Sequence, residues 1–132
     1  MNASSVDIVA MLVAETTFSL TFATNLFIGK EEKTPRNCVT IFDTSGYASD
    51  LGLTNQGYKR PSIQIRVRNA SYIDGWNLIQ LIEESLHGRA QETWNDTLYT
   101  VIYCSSGPAH LDWDENGNAR FIINFNLQRR SA

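Results

Sequence analysis

Two stretches of the chain contain carboxylates in patterns that could bind a metal ion or catalyse a reaction. The first of them contains three acidic residues. Residues 112–117 read Asp-Trp-Asp-Glu-Asn-Gly, the first half of a calcium-binding EF-hand loop, with oxygen ligands at positions 1, 3 and 5 before a glycine at position 6. Position 12 of that loop should be a bidentate glutamate, but it is Ile123 here, and the flanks have strand rather than helix patterns. The sequence therefore favours a hairpin turn in which Asn116 and Gly117 take up positive φ.

The second stretch surrounds Asp43. Residues 41–46, Ile-Phe-Asp-Thr-Ser-Gly, are similar to the Asp-Thr-Gly loop of aspartic proteases, in which an aspartate at a strand end pairs with the same residue of a dimer mate. Ser45 interrupts the motif, and no second hydrophobic-hydrophobic-Gly element follows near residue 132. We predict a strand-ending turn, and a dimeric aspartic protease using Asp43 stays open as the alternative from a different functional class.

The remaining residues offer no further catalytic or metal-binding pattern. His87 and His110 lack the spacing that would put two ligands on one helical face, and Cys38 and Cys104 lie far apart without a Cys-x-x-Cys motif. The sequence has neither a Gly-x-Ser-x-Gly elbow nor a glycine-rich phosphate loop. We therefore expect no enzyme activity, no metal and no cofactor.

Length and composition indicate one soluble domain over residues 1–132. The 132 residues are 42% hydrophobic and 19% charged, and the net charge of −3 lacks the basic surplus of a nucleic-acid binder. The longest uncharged stretches, 16–29 and 97–111, are too short and polar to cross a bilayer, and no basic residue precedes the apolar stretch at 8–14. We expect a protein that contacts no membrane and stays in the cytoplasm.

Hydrophobic periodicity predicts two helices. The first begins at Ser4 or Ser5 and ends near Thr17, with Asp7 and Met11 on the side opposite its apolar face. That apolar face comprises Val6, Ile8, Val9, Leu12, Val13 and Thr16. The second is capped by Ser71 and ends at Gly88. Its core-facing side comprises Tyr72, Trp76, Ile79, Ile82 and Leu86, whereas Ile73 and Leu81 point outward.

Alternating and β-branched stretches predict the strands. Residues 26–29 and 38–43 would form a loose hairpin, 62–69 a strand with a buried and a polar row, and 98–104 with 119–128 a second hairpin. Residues 44–61 would be a long loop. The order predicts an α+β fold with a mostly antiparallel sheet of about four to five strands and two main helices packed on one face.

Three sequence blocks, in this order, resemble the tail terminator family of tailed bacteriophages, often labelled minor capsid protein. They are NLFIGKEEKTPRNCVTIFDTSG, KRPSIQIRVRNASYIDGWNLIQLIEESLHG and SGPAHLDWDENGNARFIINFNLQ. Asn118, Asp112 and Ser45 depart from residues that are common in the family. The resemblance covers most of residues 5–128.

The resemblance implies a structural virion protein at the head-tail junction, assembled in the host cytoplasm. It implies a hexameric ring that caps the head-proximal end of the tail tube, stops the polymerisation of the tail tube protein and docks the head-completion or stopper protein. Genome DNA would pass through the lumen without specific binding, and the acidic balance suggests a lining of carboxylates. A head-tail connector, head-completion protein or tail-tube subunit is the alternative within virion assembly.

Candidate residues for the ring or partner interface come from four places. These are the long loop, the polar row of the strand at 62–69, the outward side of the second helix and the acidic turn. The nine candidates are Tyr47, Leu53, Arg60, Arg66, Arg68, Ile73, Leu81, Asp114 and Asn116.

Overall fold

The structure is a computed structural model that describes residues 1–48 and 57–132. These residues form two α-helices, a short 3-10 helix at Thr16–Phe18 and six β-strands. The fold is α+β, as predicted. The elements in chain order are α1 (Ser4–Ala14), β1 (Leu26–Ile28), β2 (Cys38–Tyr47), β3 (Arg60–Asn69), α2 (Tyr72–Leu86), β4 (Glu92–Trp94), β5 (Thr97–Trp113) and β6 (Ala119–Ser131).

The six strands form one mixed sheet in the order β1-β2-β3-β6-β5-β4, rather than the four to five antiparallel strands predicted. The predicted hairpin of β1 and β2 is wrong, because these strands pair in parallel, with Leu26 opposite Val39. Because the two strands are parallel, the connection between them must lead the chain back from the end of β1 to the level at which β1 begins. Arg68 of β3 holds this connection by donating hydrogen bonds to the carbonyl oxygens of Glu32 and Pro35, at 2.6 and 2.7 Å.

One face of the sheet is apolar and carries both helices. α1 contacts β1, β2 and β3, whereas α2 contacts β3, β5 and β6. The buried row of β3 lies opposite that of β6, with Ile65 paired to Ile123 and Val67 to Phe121. The two alternating patterns in the sequence therefore mark the core, as predicted. At Gly75 of α2, a Cβ atom would lie 2.6 Å from the Phe121 ring, so a glycine lets the helix approach the sheet closely.

The amphipathic face predicted for α1 is partly wrong. Val6 and Val13 are exposed, whereas Asp7 and Met11 are fully buried, and the helix ends at Ala14 rather than near Thr17. A carboxylate is tolerated in the core only where hydrogen-bond donors compensate for its lost hydration. Distant residues of β5 and β6 and the turn before them supply those donors, which a helical wheel cannot show.

The prediction for α2 is largely confirmed. The Ser71 hydroxyl caps the helix by accepting from the Asp74 amide at 3.3 Å, and Gly88 follows the helix with φ of +88°. Ile79, Ile82 and Leu86 are buried, as predicted. Tyr72, which was expected in the core, is exposed; its ring makes a T-shaped contact with Phe121 and stacks on Trp113 at the border of the core.

The outer strands differ most from the expectation. β2 continues to Tyr47 and β3 begins at Arg60, so the loop predicted over 44–61 is shorter. The long hairpin of β5 and β6 also extends beyond its predicted ends. β4 was missed because its three residues have no apolar pattern and form a strand only by pairing with β5.

Candidate functional site

The sheet face opposite the helices, which we call the open sheet face, carries a network of polar side chains. The Gln64 amide donates to Asn124 at 3.2 Å, and the Ser62 hydroxyl donates to Asn126 at 2.5 Å across the β3–β6 pair. Asn124 in turn donates to the Ser106 hydroxyl on β5 at 2.8 Å. These bonds link three neighbouring strands and leave an ordered polar surface.

Arg66 lies on the open sheet face, as its place in the polar row suggests. Its Nε donates to the Gln64 carbonyl oxygen at 2.9 Å, and its guanidinium carbon lies 4.9 Å from the centroid of the Phe42 ring. Both contacts hold the planar group against the sheet. The side chain is half-buried and keeps a fixed position on this face.

Arg68 belongs to the same row but is buried, so the prediction of an exposed basic row fails there. Its guanidinium binds Glu31 at 3.2 Å, in addition to the carbonyl oxygens of the β1–β2 connection. Glu31 also binds Arg120 at 3.1 Å, and Arg120 makes two bonds to Asp112, at 2.6 and 2.5 Å. This charged cluster fixes the connection against β3 and β6.

The acidic turn is built around Asp114. Its Oδ1 accepts from the backbone amides of Asn116 and Asn118, at 2.9 and 2.8 Å, and its Oδ2 accepts from the Asn118 side chain at 3.0 Å. Partial burial opposes ionisation of Asp114, but these hydrogen bonds outweigh it and lower the pKa of the carboxyl. The predicted hairpin turn is confirmed, with positive φ at Gly117 but not at Asn116.

The EF-hand-like oxygens are thus engaged within the chain, Asp112 by Arg120 and Asp114 by the turn. Across residues 1–48 and 57–132, His, Cys, Asp and Glu side chains form no group of three or more that could hold a metal ion. Asn116 stands at the tip of the turn with its side chain exposed.

The Asp112–Arg120 pair predicts a defined acid sensitivity. The hydrogen bond from Arg120 lowers the pKa of Asp112 below its ordinary value of 3.8. A carboxyl with a lowered folded-state pKa stabilises the fold above its unfolded-state pKa, and that stabilisation is lost as the pH falls through the folded-state value. Urea unfolding between pH 7 and pH 2.5 should show a steeper loss of stability below about pH 4 in the natural chain than in Asp112→Asn. Identical slopes would contradict the assignment.

Asp43 has a structural role in this fold. Its two carboxylate oxygens accept from the Ser5 backbone amide at 3.0 Å and from the Ser5 hydroxyl at 2.6 Å. α1 has no side-chain cap of its own at Ala3, so Asp43 caps the helix from the neighbouring strand. The strand-ending turn predicted here is wrong, because β2 continues through Asp43 to Tyr47.

Several surfaces of the described residues expose large apolar side chains, and two of them contain candidate interface residues. The first, the helix patch, consists of Ile73 and Leu81 on the outer side of α2, which are 64% and 49% exposed. The second, the tyrosine groove, is a cavity of about 350 Å³ beside Tyr47, Arg60 and Tyr103. Tyr47 is 68% exposed. The structure therefore brings Tyr47 and Arg60 together and keeps them apart from the helix patch.

Leu53, another candidate, lies outside the described residues. Sequence reasoning also missed the exposure of Trp113 and Tyr103 on β5. Trp113 lies beyond the predicted end of this strand, and Tyr103 lies on the sheet face that points away from the helices. The Trp between two aspartates in the acidic turn was a usable signal, since a tryptophan among charged residues is seldom a core residue. Among the described residues, no helix is long and apolar enough to span a membrane.

Comparison of the fold with solved structures finds a likeness to a chain of a structure titled "Virion of native gene transfer agent (GTA) particle". The TM-score is 0.69 and the identity 11%, over 98% of this chain and 96% of that one. At this identity the likeness establishes a shared fold. The sequence matches no curated protein.

The sequence itself matches a family model. The model of the family described as "Bacteriophage tail terminator protein" matches residues 7–130, from the buried Asp7 to the last residues of β6. The match includes α2, the first five strands, β6 up to Arg130, and α1 from Asp7 onward. The chain therefore belongs to the bacteriophage tail terminator protein family, and it is a structural protein of the virion tail.

Proposed function

We propose that this chain forms a hexameric ring at the head-tail junction, where it caps the head-proximal end of the tail tube. The ring stops polymerisation of the tail tube protein and docks the head-completion or stopper protein. Assembly takes place in the host cytoplasm, and no bond is made or broken. The family match over residues 7–130 is the observation that carries this proposal.

The distribution of apolar surface supports a ring. In a closed ring each subunit meets the next through two different surfaces, whereas a two-fold dimer uses one surface twice. The described residues expose unlike apolar surfaces on several sides, among them the helix patch on α2, the tyrosine groove on the open sheet face, and Leu111 with Trp113 on β5. Such separate surfaces fit an assembly in which each copy has unlike neighbours on its several sides.

The capping mechanism is geometric. A tube subunit offers the next ring the same growing face that it has bound, so growth continues. A terminator matches that face on one side and presents a different surface on the other, which removes the template. Neither step needs a catalytic group. The carboxylate of Asp43, the candidate catalytic residue of the protease alternative, instead caps α1.

Genome DNA is the remaining partner, and we propose that it passes through the lumen without specific binding. The net charge of −3 gives no overall attraction for phosphate. Arg68, Arg89, Arg120 and Arg129 each form an ion pair with a carboxylate of the chain.

The introduction of positive charge on the helix patch tests whether this patch is a partner interface. In Ile73→Lys with Leu81→Lys, two lysines replace the apolar side chains of the helix patch, and we expect the loss of tube capping, with ring formation and the circular dichroism spectrum unchanged. Rings are counted by native mass spectrometry, and capping is read from tube lengths in electron micrographs. Glu84→Lys, on the exposed side of the same helix, is the matched control. Normal capping by the double variant would show that the helix patch is not an interface.

Deletion of the gene separates this function from its alternatives within the virion. A terminator mutant should make overlong tail tubes, a head-tail connector or head-completion mutant should make tails of normal length, and a tail-tube mutant should make none. Electron microscopy of the particles reads the three outcomes directly. Tails of normal length would reject the proposed function.

Asp43→Asn tests the protease alternative. The amide keeps one acceptor for Ser5, so we expect capping of tubes to continue and the free energy of unfolding to fall by about 1 kcal/mol. An aspartic protease would lose all peptide cleavage in this variant. Peptide cleavage by the natural chain that disappears in Asp43→Asn would establish an enzyme.

A further inference from the structure

We propose that neighbouring subunits join through their sheet edges, and that the edge of β5 at 109–113 pairs with the edge of β2 at 43–47 in the next copy. The sheets of all subunits then close into one continuous barrel. This inference rests on the proposed ring and specifies how its subunits contact one another.

The outer edge of β2 is covered over only half of its length. β1 pairs with Val39–Ile41, and the Gly29 amide extends the pairing by donating to the Ile41 carbonyl at 2.9 Å. From residue 43 onward β2 pairs with β3 on its inner side. In the described part of the chain no backbone group pairs with residues 43–47 on the outer side.

The outer edge of β5 is also half covered, at the opposite end of the sheet. β4 pairs with residues 97–99, and the segment after α2 continues this cover through bonds between Gly88, Arg89 and Ile102 at 2.8 and 2.9 Å. The register with β6 then shifts between Ser106 and Ala109, which marks a bulge. Beyond it, residues 109–113 pair only with β6 among the described residues.

Register shifts interrupt both free segments and Pro108 precedes the second, but neither segment carries an unpaired charge or a lysine. Natural edges are kept from pairing by charged side chains, especially lysine, or by a covering loop. Here Tyr47 stands on the β2 segment, whereas Leu111 and Trp113 stand on the β5 segment with exposures of 39% and 54%. The two charges present, Asp43 and Asp112, are already bound within the chain. Exposed apolar edges of this kind indicate pairing with another strand.

The strand directions fit a second copy of this chain. β2, β3, β6 and β5 are antiparallel to their neighbours, so β5 runs opposite to β2. Rotation about a ring axis preserves strand direction, and β5 of one subunit therefore meets β2 of the next in antiparallel orientation. If the two five-residue segments are centred on each other, Ser45 lies opposite Leu111.

The positions of the free segments also fit closure. They lie at opposite ends of the sheet, so pairing them displaces each subunit along the strand direction relative to its neighbour. A closed barrel requires such a stagger, together with tilted strands. Six copies of four strands would give a barrel of roughly 24 strands, larger than the porins of about 16–18 strands whose barrels leave an aqueous channel.

This arrangement determines what lines the channel. Both helices pack on one face of the sheet, and their bulk places this face on the outside of the barrel. The open sheet face therefore lies inside. Its centre presents the amides of Gln64, Asn124 and Asn126 together with Arg66. The lining would thus be mainly neutral and polar, instead of the carboxylate lining expected from the net charge.

Cysteine crosslinking tests the pairing. Ser45→Cys is combined with Leu111→Cys in a chain whose own cysteines are replaced by Cys38→Ala and Cys104→Ser, and assembled rings are treated with a short bis-maleimide. We expect a covalent ladder that reaches the hexamer. Ala109→Cys or Trp113→Cys in place of Leu111→Cys covers registers shifted by two residues.

Three controls define the contact. Each single-cysteine variant should give no crosslink, because the two edges are different surfaces. Ser45→Cys with Leu81→Cys should also give none, since Leu81 lies on the outer side of α2. Hydrogen exchange of the unsubstituted chain should show amides of 43–47 and 109–113 protected in the ring and not in the free subunit.

The outcomes separate this inference from the function on which it rests. Rings seen by native mass spectrometry without a ladder from any pair, or without amide protection in both segments, would overturn the edge pairing and leave the terminator function standing. Dimers from a single-cysteine variant would overturn it in favour of a two-fold contact. Failure of the natural chain to form rings at tube ends would overturn both.

Discussion

Replacement of Asp7 by alanine is expected to lower the free energy of unfolding by about 3–5 kcal/mol. Asp7 is fully buried, and its carboxylate accepts from the Tyr99 hydroxyl and, at 2.7 Å, from the Asn95 amide. The Arg129 guanidinium lies 3.8 Å away and also donates to Tyr99 at 3.3 Å. Removal of the carboxylate leaves the buried Arg129 cation without its counter-charge and the buried Tyr99 hydroxyl without its acceptor, and neither recovers hydration.

The same network explains a perturbed tyrosine. Burial, followed by the hydrogen bond to Asp7, raises the pKa of Tyr99 well above its ordinary range, so the hydroxyl stays protonated as a donor. The network ties α1 to β5 and β6. Its loss should therefore loosen the helix from the far half of the sheet.

Denaturant unfolding of Asp7→Ala measures the effect at neutral pH. Asp7→Asn keeps the shape and one acceptor oxygen, and should fall between the natural chain and Asp7→Ala. Glu84→Ala changes an exposed carboxylate on α2 and should alter stability by no more than about 0.5 kcal/mol. A loss below about 1 kcal/mol in Asp7→Ala would mean that the network contributes little, contrary to its burial.

Replacement of Phe121 by alanine is the second change expected to cost about 3–5 kcal/mol. The ring is fully buried where α2 crosses β6, and its centroid lies 5.0 Å from that of Tyr72 and 5.5 Å from that of His110. Gly75 approaches the same ring so closely that no other residue fits without displacing it. A cavity here is bounded by a helix and a strand that cannot collapse into it freely.

Phe22→Ala is the matched control, since Phe22 is 51% exposed. The same truncation there should change the free energy of unfolding by no more than about 0.5 kcal/mol. Both variants are compared in one denaturant series, with the slope checked for equality so that the midpoints report stability alone. Equal losses in the two variants would contradict the placement of Phe121 in the core.

Local sequence patterns predict the centre of the fold. β3 and β6 are fixed by strict alternation, and α2 is fixed by the Ser71 cap, the spacing of Ile79 and Ile82, and Gly88. These signals are local, because side-chain direction repeats every two residues in a strand and every 3.6 in a helix. The three sequence blocks likewise gave the family, which the match over residues 7–130 confirms.

Which polar groups are buried and which strand edges are free depends on contacts between distant elements of the fold. The partners of Asp7 and Arg68 lie on other elements, with Tyr99 separated from Asp7 by 92 positions, so no local window reveals the compensation. The parallel pairing of β1 and the existence of β4 likewise depend on neighbours that the fold supplies. A buried charge is stable only where distant residues supply its partners, and a strand of three residues forms only where a neighbouring strand pairs with it. The residues of these segments contribute too little hydrophobic free energy to fix either outcome by themselves.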